Sequence, residues 1–188
     1  DILKKNTHNV IGNRSFSGNT STINSLKKIC YETLQKFKIG SVSKHIPGHG
    51  CVNVDTHKNF ATTNLTLRSL LKEDFSVFKN INSNFAMTAH IIYEKIDPNN
   101  SATHSALLIK NIIRKKLGFK GILISDDISM GALGNNLLYN TKKAISSGCN
   151  LVLYCKGKLR ESSLLLSNLG NIDKFTIKKT SEFYNFLR

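Results

Sequence analysis

The sequence contains no long hydrophobic run. No stretch approaches the roughly 20 consecutive apolar residues that a transmembrane helix needs, and no basic segment followed by an apolar one opens the chain, as in a secretory signal peptide. We therefore expect a soluble, cytoplasmic protein without a membrane partner. With 188 residues, 40% of them hydrophobic, the chain can form the core of one ordinary domain.

Paired cysteines and a nucleotide-binding loop are also missing. The four cysteines, Cys30, Cys51, Cys149 and Cys155, form no C-x-x-C pair and are widely spaced. This spacing argues against a secreted disulfide scaffold and favours reduced thiols in the cytosol. The chain has no G-x-x-x-x-G-K-[ST] sequence, which argues against a Walker-type nucleotide site.

Acidic residues are few compared with basic ones. The 27 lysines and arginines exceed the 12 aspartates and glutamates, and the formal net charge is +15. Such a charge is compatible with a nucleic-acid partner or with an anionic substrate. Over residues 27–38 and 114–116, however, the basic side chains alternate with apolar ones in helix-like stretches. We therefore predict a lysine-rich solvated surface and no nucleic-acid partner.

Apolar residues recur at helical and at strand-like spacings along the chain. These spacings predict helices over residues 23–37, 67–78, 108–117 and 142–147, and strands over 39–42, 85–90, 121–124 and 151–154. The remainder beyond residue 154 is predicted to form one or two helices. Helices that alternate with strands imply parallel strands joined by helical crossovers, and therefore an α/β fold.

Polar or titratable residues follow several different predicted strands, at His45, His90, Asp126 and Cys155. An open doubly wound sheet and a (β/α)8 TIM barrel both agree with the alternation of elements, but side chains that converge from many strand ends are typical of barrel enzymes. The chain has four or five predicted strands, whereas a closed barrel has eight. We expect residues 1–188 to be the C-terminal portion of a single barrel domain whose first strands lie upstream.

The loop that follows residue 44 is rich in histidine and glycine. A metal site could use His45, His49 and His57 together with Asp55. A polar surface loop without a function is the second interpretation. The third is an acid/base pair, because Asp55 could hold one imidazole nitrogen of His57 and fix its tautomer, leaving the other nitrogen to transfer a proton near neutral pH. The loop by itself does not separate these alternatives.

Ser125, Asp126 and Asp127 follow the apolar run over residues 121–124. A carboxylate at the end of a buried strand could act as a nucleophile. The same residue types also cap the helix that follows a strand, so the triplet alone decides nothing.

Several segments together resemble the bacterial β-N-acetylglucosaminidases of glycoside hydrolase family 3. Residues 44–50 (K-H-I-P-G-H-G) followed by 55–57 (D-T-H) are similar to that family's K-H-F-P-G-H-G and D-S-H motifs, and residues 125–130 (S-D-D-I-S-M) to its nucleophile segment S-D-D-L-S-M. Three further stretches, at 10–16, 87–90 and 144–154, match in the same order. The resemblance covers about 150 residues and is specific because two long motifs carry it.

The resemblance implies a role for each matching residue. Asp126 takes the position of the nucleophile, and His57 takes that of the acid/base with Asp55 as its partner. Residues implied to bind the N-acetylglucosamine unit are Arg14, Lys44 and His45. His90 is expected either to line the pocket and bind substrate or to be a hydrogen-bonded histidine at the end of a strand. No cofactor and no metal are implied, and His8 and His104 match nothing and are expected at the surface.

The implied activity is the removal of terminal β-linked N-acetylglucosamine from anhydromuropeptides by a retaining monomeric glycosidase, during cytoplasmic recycling of peptidoglycan. Two departures from the family pattern matter. The acidic, glycine-rich D-Q-E-G-G-R-V stretch, which the family uses to bind sugar hydroxyls, does not occur in the sequence, and Thr56 replaces a serine. An inactive or incomplete fragment is therefore an alternative to the active enzyme.

Overall fold

The structure, a computed structural model, describes residues 1–56, 60–134 and 136–188. The strands in this part of the chain are β1 (Val42–Ile46), β2 (Ala61–Thr63), β3 (Phe85–Thr88), β4 (Ile91–Tyr93), β5 (Ile122–Asp127) and β6 (Leu151–Leu153). The α-helices are α1 (Thr20–Lys36), α2 (Leu67–Lys72), α3 (Leu137–Ser147), α4 (Leu159–Asn168) and α5 (Lys174–Leu187). A π-helix spans Leu108–Lys116, and short 3-10 helices span Gly12–Arg14, Ser76–Phe78, Ala102–His104 and Gly131–Leu133.

Four of the strands form one parallel sheet in the order β1-β3-β5-β6. The strands β2 and β4 pair with each other, also in parallel. The parallel pairing confirms the predicted α/β fold, in which helices connect successive strands. None of the described helices is long and apolar enough to cross a lipid bilayer.

The π-helix supplies much of the core on one face of the sheet. Its residues Leu108, Ile109, Ile112 and Ile113 are all buried. They belong to the same hydrophobic cluster as Leu123, the second residue of β5. Burial of a side chain of this size stabilises a fold by about 1.5–3 kcal/mol, so this face is a main source of stability.

Helix boundaries follow the capping residues. The Asn19 side chain accepts hydrogen bonds from the backbone N–H groups of Ser21 and Thr22 at the start of α1. Asn136 accepts from Tyr139 at the start of α3, and Asp173 accepts from Thr176 at the start of α5. Side chains that satisfy the free N–H groups of a first turn fix the residue at which the helix begins.

Three predicted boundaries are wrong. The strand predicted over 39–42 is displaced: β1 begins at Val42 and continues to Ile46, so Lys44 and His45 lie on a strand and not in a loop. The predicted helix over 67–78 is divided into α2 and the 3-10 helix Ser76–Phe78. The α3 helix begins at Leu137, five residues before the predicted start, because Asn136 caps it there.

The α5 helix packs against the amino-terminal ends of the strands. The ring of Phe183 makes an edge-on contact with Phe85, the first residue of β3, at a centroid distance of 4.9 Å. Asn150, which precedes β6, donates its side-chain N–H to Thr176 of α5 at 2.9 Å. The amino-terminal ends of the strands are therefore covered, and a site at the opposite ends has room to open.

Candidate active site

The carboxyl ends of β1, β3, β5 and β6 lie along one edge of the sheet because the four strands are parallel. A cavity of about 190 Å³ opens at this edge, and its lining includes Arg14, Lys44, His45 and Asp126. This volume is smaller than that of typical small-molecule pockets, which is about 300–1,000 Å³. The described walls therefore enclose part of a site.

Asp126 is the next-to-last residue of β5. Its Oδ1 accepts the backbone N–H of Asp127 at 2.8 Å. Its Oδ2 lies 3.8 Å from the Nε2 of His45, and the side chain is 20% exposed. The hydrogen bond orients the carboxylate, and its second oxygen faces the cavity.

Asp127 has different surroundings. Its Oδ1 accepts the backbone N–H groups of Ser129 at 3.1 Å and of Cys155 at 3.2 Å. Its Oδ2 accepts the hydroxyl of Ser129 at 2.7 Å. The Asp127 carboxylate thus closes the turn that follows β5 and ties it to the segment after β6, which leaves Asp126 as the carboxylate of the pair that faces the cavity.

His45 lies between Asp126 and the carboxylate of Asp1. Burial lowers the pKa of His45 to about 4; the Asp126 charge opposes this shift, and the positive charges of Lys44 and Arg14 add to it. The ring is therefore neutral at pH 7. We assign its single proton to Nδ1, which lies 2.7 Å from Asp1 Oδ2. The Nε2 lone pair then faces the cavity, where it can accept a hydrogen bond from a substrate hydroxyl.

Asp1 is a site residue that the sequence analysis missed. Its carboxylate accepts the Nδ1–H of His45, the backbone N–H of His45 at 3.1 Å, and the backbone N–H of His49 at 2.8 Å. These partners are 44 and 48 residues away in the sequence. No motif or local spacing could have identified the residue, because only the fold brings the segments together.

Arg14 and Lys44 place positive charge at the cavity. The Arg14 Nε donates to the backbone carbonyl of Val10 at 2.8 Å, which fixes one end of the guanidinium. Both residues are exposed, and both also line a neighbouring groove of about 320 Å³ between α1 and β1. A substrate that extends from the cavity toward this groove would pass both cations.

The loop after β1 forms another wall of the cavity. His49 is buried, and its Nε2 lies 3.3 Å from the hydroxyl of Thr56. Burial, together with the neighbouring His45, lowers the pKa of His49 to about 4. The backbone carbonyl of Thr56 accepts the N–H of Ala132 at 3.2 Å, which ties this loop to the one after β5. Asp55 is half-buried in the same loop, whereas His57 lies outside the described residues.

All of these segments fall within one known domain. The "Glycosyl hydrolase family 3 N terminal domain" matches residues 1–180 of the chain. The chain belongs to glycosyl hydrolase family 3. Membership of this family agrees with the resemblance of the two long motifs.

Two curated relatives carry the name beta-hexosaminidase. The protein of Nitrosomonas eutropha is 34% identical over 163 residues, which are 84% of this chain and 47% of the relative. The protein of Methylobacillus flagellatus is 32% identical over 180 residues, which are 93% of this chain and 51% of the relative. The chain thus spans about half the length of the curated relatives it matches.

Solved structures of family 3 proteins share the fold. NagZ from Neisseria gonorrhoeae, in complex with N-trifluoroacetyl-D-glucosamine, has a TM-score of 0.84 at 26% identity over 100% of this chain and 53% of that one. A family 3 beta-N-acetylglucosaminidase from Paenibacillus has a TM-score of 0.85 over 99% and 38% of the two chains; at 22% identity it shows the fold alone. The prediction of a (β/α)8 barrel that is present in part is confirmed, and the sheet supplies four of its strands.

Two further histidines are buried. His90 follows β3 and is 2% exposed; both ring nitrogens have hydrogen-bond partners, and the residue is not part of the cavity lining. That His90 binds the sugar stays a prediction. His104 was expected at the surface, but this prediction is wrong: it is buried, and its Nε2 lies 3.1 Å from the backbone carbonyl of Asn140.

The described residues contain no group of three His, Cys, Asp or Glu side chains that could hold a metal ion. The zinc hypothesis needs His57 beside His45 and His49, and His57 is not among the residues described. NagZ from Neisseria gonorrhoeae has been solved both as the native protein, at 27% identity to this chain, and in complex with a zinc ion, at 26% identity.

Proposed function

We propose that this chain carries the catalytic residues of a retaining β-N-acetylglucosaminidase, with Asp126 as the nucleophile. One observation supports the assignment most: Asp126 directs a carboxylate oxygen into the cavity lined by Arg14, Lys44 and His45, while the carboxylate of Asp127 is engaged in closing a turn. His57 is the acid/base in this proposal, and Asp55 orients it.

The reaction has two steps that invert the anomeric carbon twice. In the first, Asp126 Oδ2 attacks the anomeric carbon, the glycosidic bond breaks, and protonated His57 donates its proton to the leaving oxygen. In the second, neutral His57 takes a proton from water, the water oxygen attacks the anomeric carbon, and the carboxylate of Asp126 departs. The configuration of the product is therefore that of the substrate.

The substrate in this proposal is an N-acetylglucosaminyl anhydromuropeptide, and the enzyme acts in the cytoplasm during peptidoglycan recycling. Such a substrate carries carboxylates on its aglycone. A histidine acid/base would not repel this anionic group during the water step, as a carboxylate would. The charges of Arg14 and Lys44 and the net charge of +15 favour the same class of substrate.

The test is release of nitrophenol from 4-nitrophenyl N-acetyl-β-glucosaminide. Asp126→Ala should lower kcat by at least about 10³-fold, because no other described carboxylate faces the cavity. Added azide should restore turnover and give the α-glycosyl azide, since azide can attack where the carboxylate is missing. Asp127→Asn is the matched control. It should lower the melting temperature, because Asp127 closes a turn, but its loss of kcat should be far smaller than that of Asp126→Ala.

The assay should be run on residues 1–188 and on a protein that also supplies the remaining barrel strands. Activity of the longer protein alone would assign this chain to an incomplete enzyme. Full activity of Asp126→Ala in either form would overturn the nucleophile assignment. Activity that survives EDTA would count against the zinc alternative with His45, His49 and His57 as ligands.

A further inference from the structure

Between the ends of β3 and β5, three buried side chains and the backbone carbonyl of Asp127 form a chain of hydrogen bonds. The hydroxyls of Thr88 and Thr103 are 2.7 Å apart, and the Thr103 hydroxyl lies 2.7 Å from the Nδ1 of His90. The Nε2 of His90 lies 3.0 Å from the backbone carbonyl of Asp127. Thr88, Thr103 and His90 are almost inaccessible to solvent, so the chain lies in the core and not in the cavity.

The donor and the acceptor of each of these hydrogen bonds can be assigned by starting from the Asp127 carbonyl. A backbone carbonyl can only accept, so His90 Nε2 carries the proton that faces Asp127. Burial lowers the pKa of His90, which keeps the ring neutral and leaves Nδ1 without a proton. The Thr103 hydroxyl must then donate to Nδ1, and the Thr88 hydroxyl must donate to Thr103. The backbone carbonyl of Ala89, 3.3 Å from the Thr103 hydroxyl, is a second and more distant acceptor for the same proton.

The chain ends where β5 loses its regular pairing. The register between β5 and β6 shifts between Ile124 and Asp127. In this interval the N–H of Leu153 is bonded to the side-chain hydroxyl of Ser125 at 3.0 Å. The carbonyl of Asp127 accepts from the N–H of Met130 at 3.1 Å as well as from His90. Side-chain hydrogen bonds thus fix the end of β5 where regular backbone pairing with β6 is interrupted.

We infer that His90 is a positioning residue that does not contact the sugar: it fixes the peptide that joins Asp127 to Ile128, and through the N–H of Asp127, which binds Asp126 Oδ1, the direction of the Asp126 carboxylate. The inference rests on the proposed function of Asp126. It differs from the sequence-based expectation that His90 lines the pocket. The proposed sequence of contacts runs from Thr88 through Thr103 and His90 to the carbonyl of Asp127, and then across one residue to the nucleophile.

Two replacements of similar shape test the roles of the two ring nitrogens of His90 one at a time. In His90→Gln the amide nitrogen can replace Nε2 and still donate to Asp127. In His90→Asn the amide oxygen can replace Nδ1 and still accept from Thr103, but the donor to Asp127 is lost. We expect His90→Asn to lower kcat by about 10- to 100-fold with little change in KM, because a displaced reacting group affects the rate more than binding. His90→Gln should keep kcat within about threefold of the wild type.

The outcomes distinguish three roles for His90. A higher KM in both variants with kcat unchanged would show that His90 contacts the sugar and would overturn the inference. An equal loss of kcat in both variants, in parallel with a lower melting temperature, would reduce His90 to a packing residue. Thr103→Val removes the donor to Nδ1 at a distance from Asp127, and it should reproduce a smaller part of the His90→Asn effect on kcat.

A second measurement does not depend on activity. Long-range ¹H–¹⁵N NMR spectra of the histidine rings should show His90 as the neutral Nε2–H tautomer at neutral pH. A charged ring or an Nδ1–H tautomer would overturn the inference. If no form of the protein cleaves the aryl glycoside, the proposed function fails, and the tautomer of His90 still decides the proton assignment.

Discussion

The Asp1 carboxylate joins two parts of the site that are distant in sequence. It accepts three N–H groups from residues on and just after β1, and its side chain is 5% exposed. A carboxylate that accepts several hydrogen bonds is held in one orientation, and so are its donors. Asp1 thereby fixes both the tautomer of His45 and the path of the loop that begins at Pro47.

Replacing Asp1 tests this role directly. Asp1→Asn keeps the shape of the side chain but has one acceptor oxygen for three donors, so at least one N–H group must face an amide N–H. We expect a loss of about 1–3 kcal/mol in the free energy of unfolding. We also expect kcat/KM to fall by about tenfold, since the His45 tautomer is no longer fixed. Urea unfolding and steady-state kinetics check the two effects, and an unchanged kcat/KM would contradict the role given to Asp1.

At the scale of elements, α5 is positioned by the absence of a side chain at Gly40. A Cβ at this residue would lie 2.6 Å from the Phe183 ring, closer than atoms approach without a shift. The same ring contacts Phe85 at the start of β3. Gly40 therefore lets α5 approach the amino-terminal ends of β1 and β3.

A double-mutant cycle measures this approach. Gly40→Ala should lower the free energy of unfolding by about 1–3 kcal/mol, because the added methyl group displaces the Phe183 ring. Phe183→Ala should also destabilise the protein, by about 1–3 kcal/mol for a half-buried ring. In the double variant the two losses should not add, since the clash is gone once the ring is removed. Strict additivity would show that α5 does not rest on Gly40.

Elements with a strong apolar period were predicted well from the sequence. The helix at α1 and the strand at β5 were located because their patterns are local, although β5 continues past the predicted end at residue 124 to Asp127. In contrast, β1 was predicted too early in the sequence, because V-S-K-H-I has polar residues inside a strand that β3 holds by pairing. The β2 and β4 strands were missed for different reasons: β2 (A-T-T) has no large apolar residue, and β4 (I-I-Y) follows β3 so closely that the sequence does not separate the two.

Site residues that lie in sequence motifs could be predicted, whereas residues that reach the site through contacts between distant segments could not. Arg14, Lys44, His45 and Asp126 come from three separate segments, and the cavity brings them together. Asp1 and Thr103 could not be found in this way, because each acts through contacts that only the three-dimensional arrangement creates. His104 looked like a surface residue because nothing in its neighbourhood reports that Asn140 covers it.

At the scale of the whole molecule, buried neutral histidines couple stability to pH. Burial lowers the pKa of His45, His49 and His104 to about 4 in each case, below the value near 6.5 of an exposed histidine. Between these values the unfolded chain binds protons that the folded chain does not. The stability that these residues contribute is present above about pH 6.5 and is lost as the pH falls toward 4.

We expect the free energy of unfolding to fall between pH 7 and pH 5, with each of the three histidines contributing at most about 1.4 kcal/mol per pH unit. Asp74, whose pKa is raised by burial, partly offsets this loss at the acid end. Urea unfolding at a series of pH values measures the slope. His104→Gln keeps the donor to Asn140 without a titrating ring, so its slope should be smaller by one proton; an unchanged slope would contradict the assignment.

The hydrogen-bond chain beneath β5 also determines where protons cannot travel. It ends at the carbonyl of Asp127, a group that accepts a hydrogen bond but does not take up a proton. The hydrogen bonds from Thr88 to His90 therefore do not transfer protons to or from the site. A proton consumed or released in the reaction must exchange with solvent through the mouth of the cavity. The net charge of the buried groups around His90 therefore does not change during turnover.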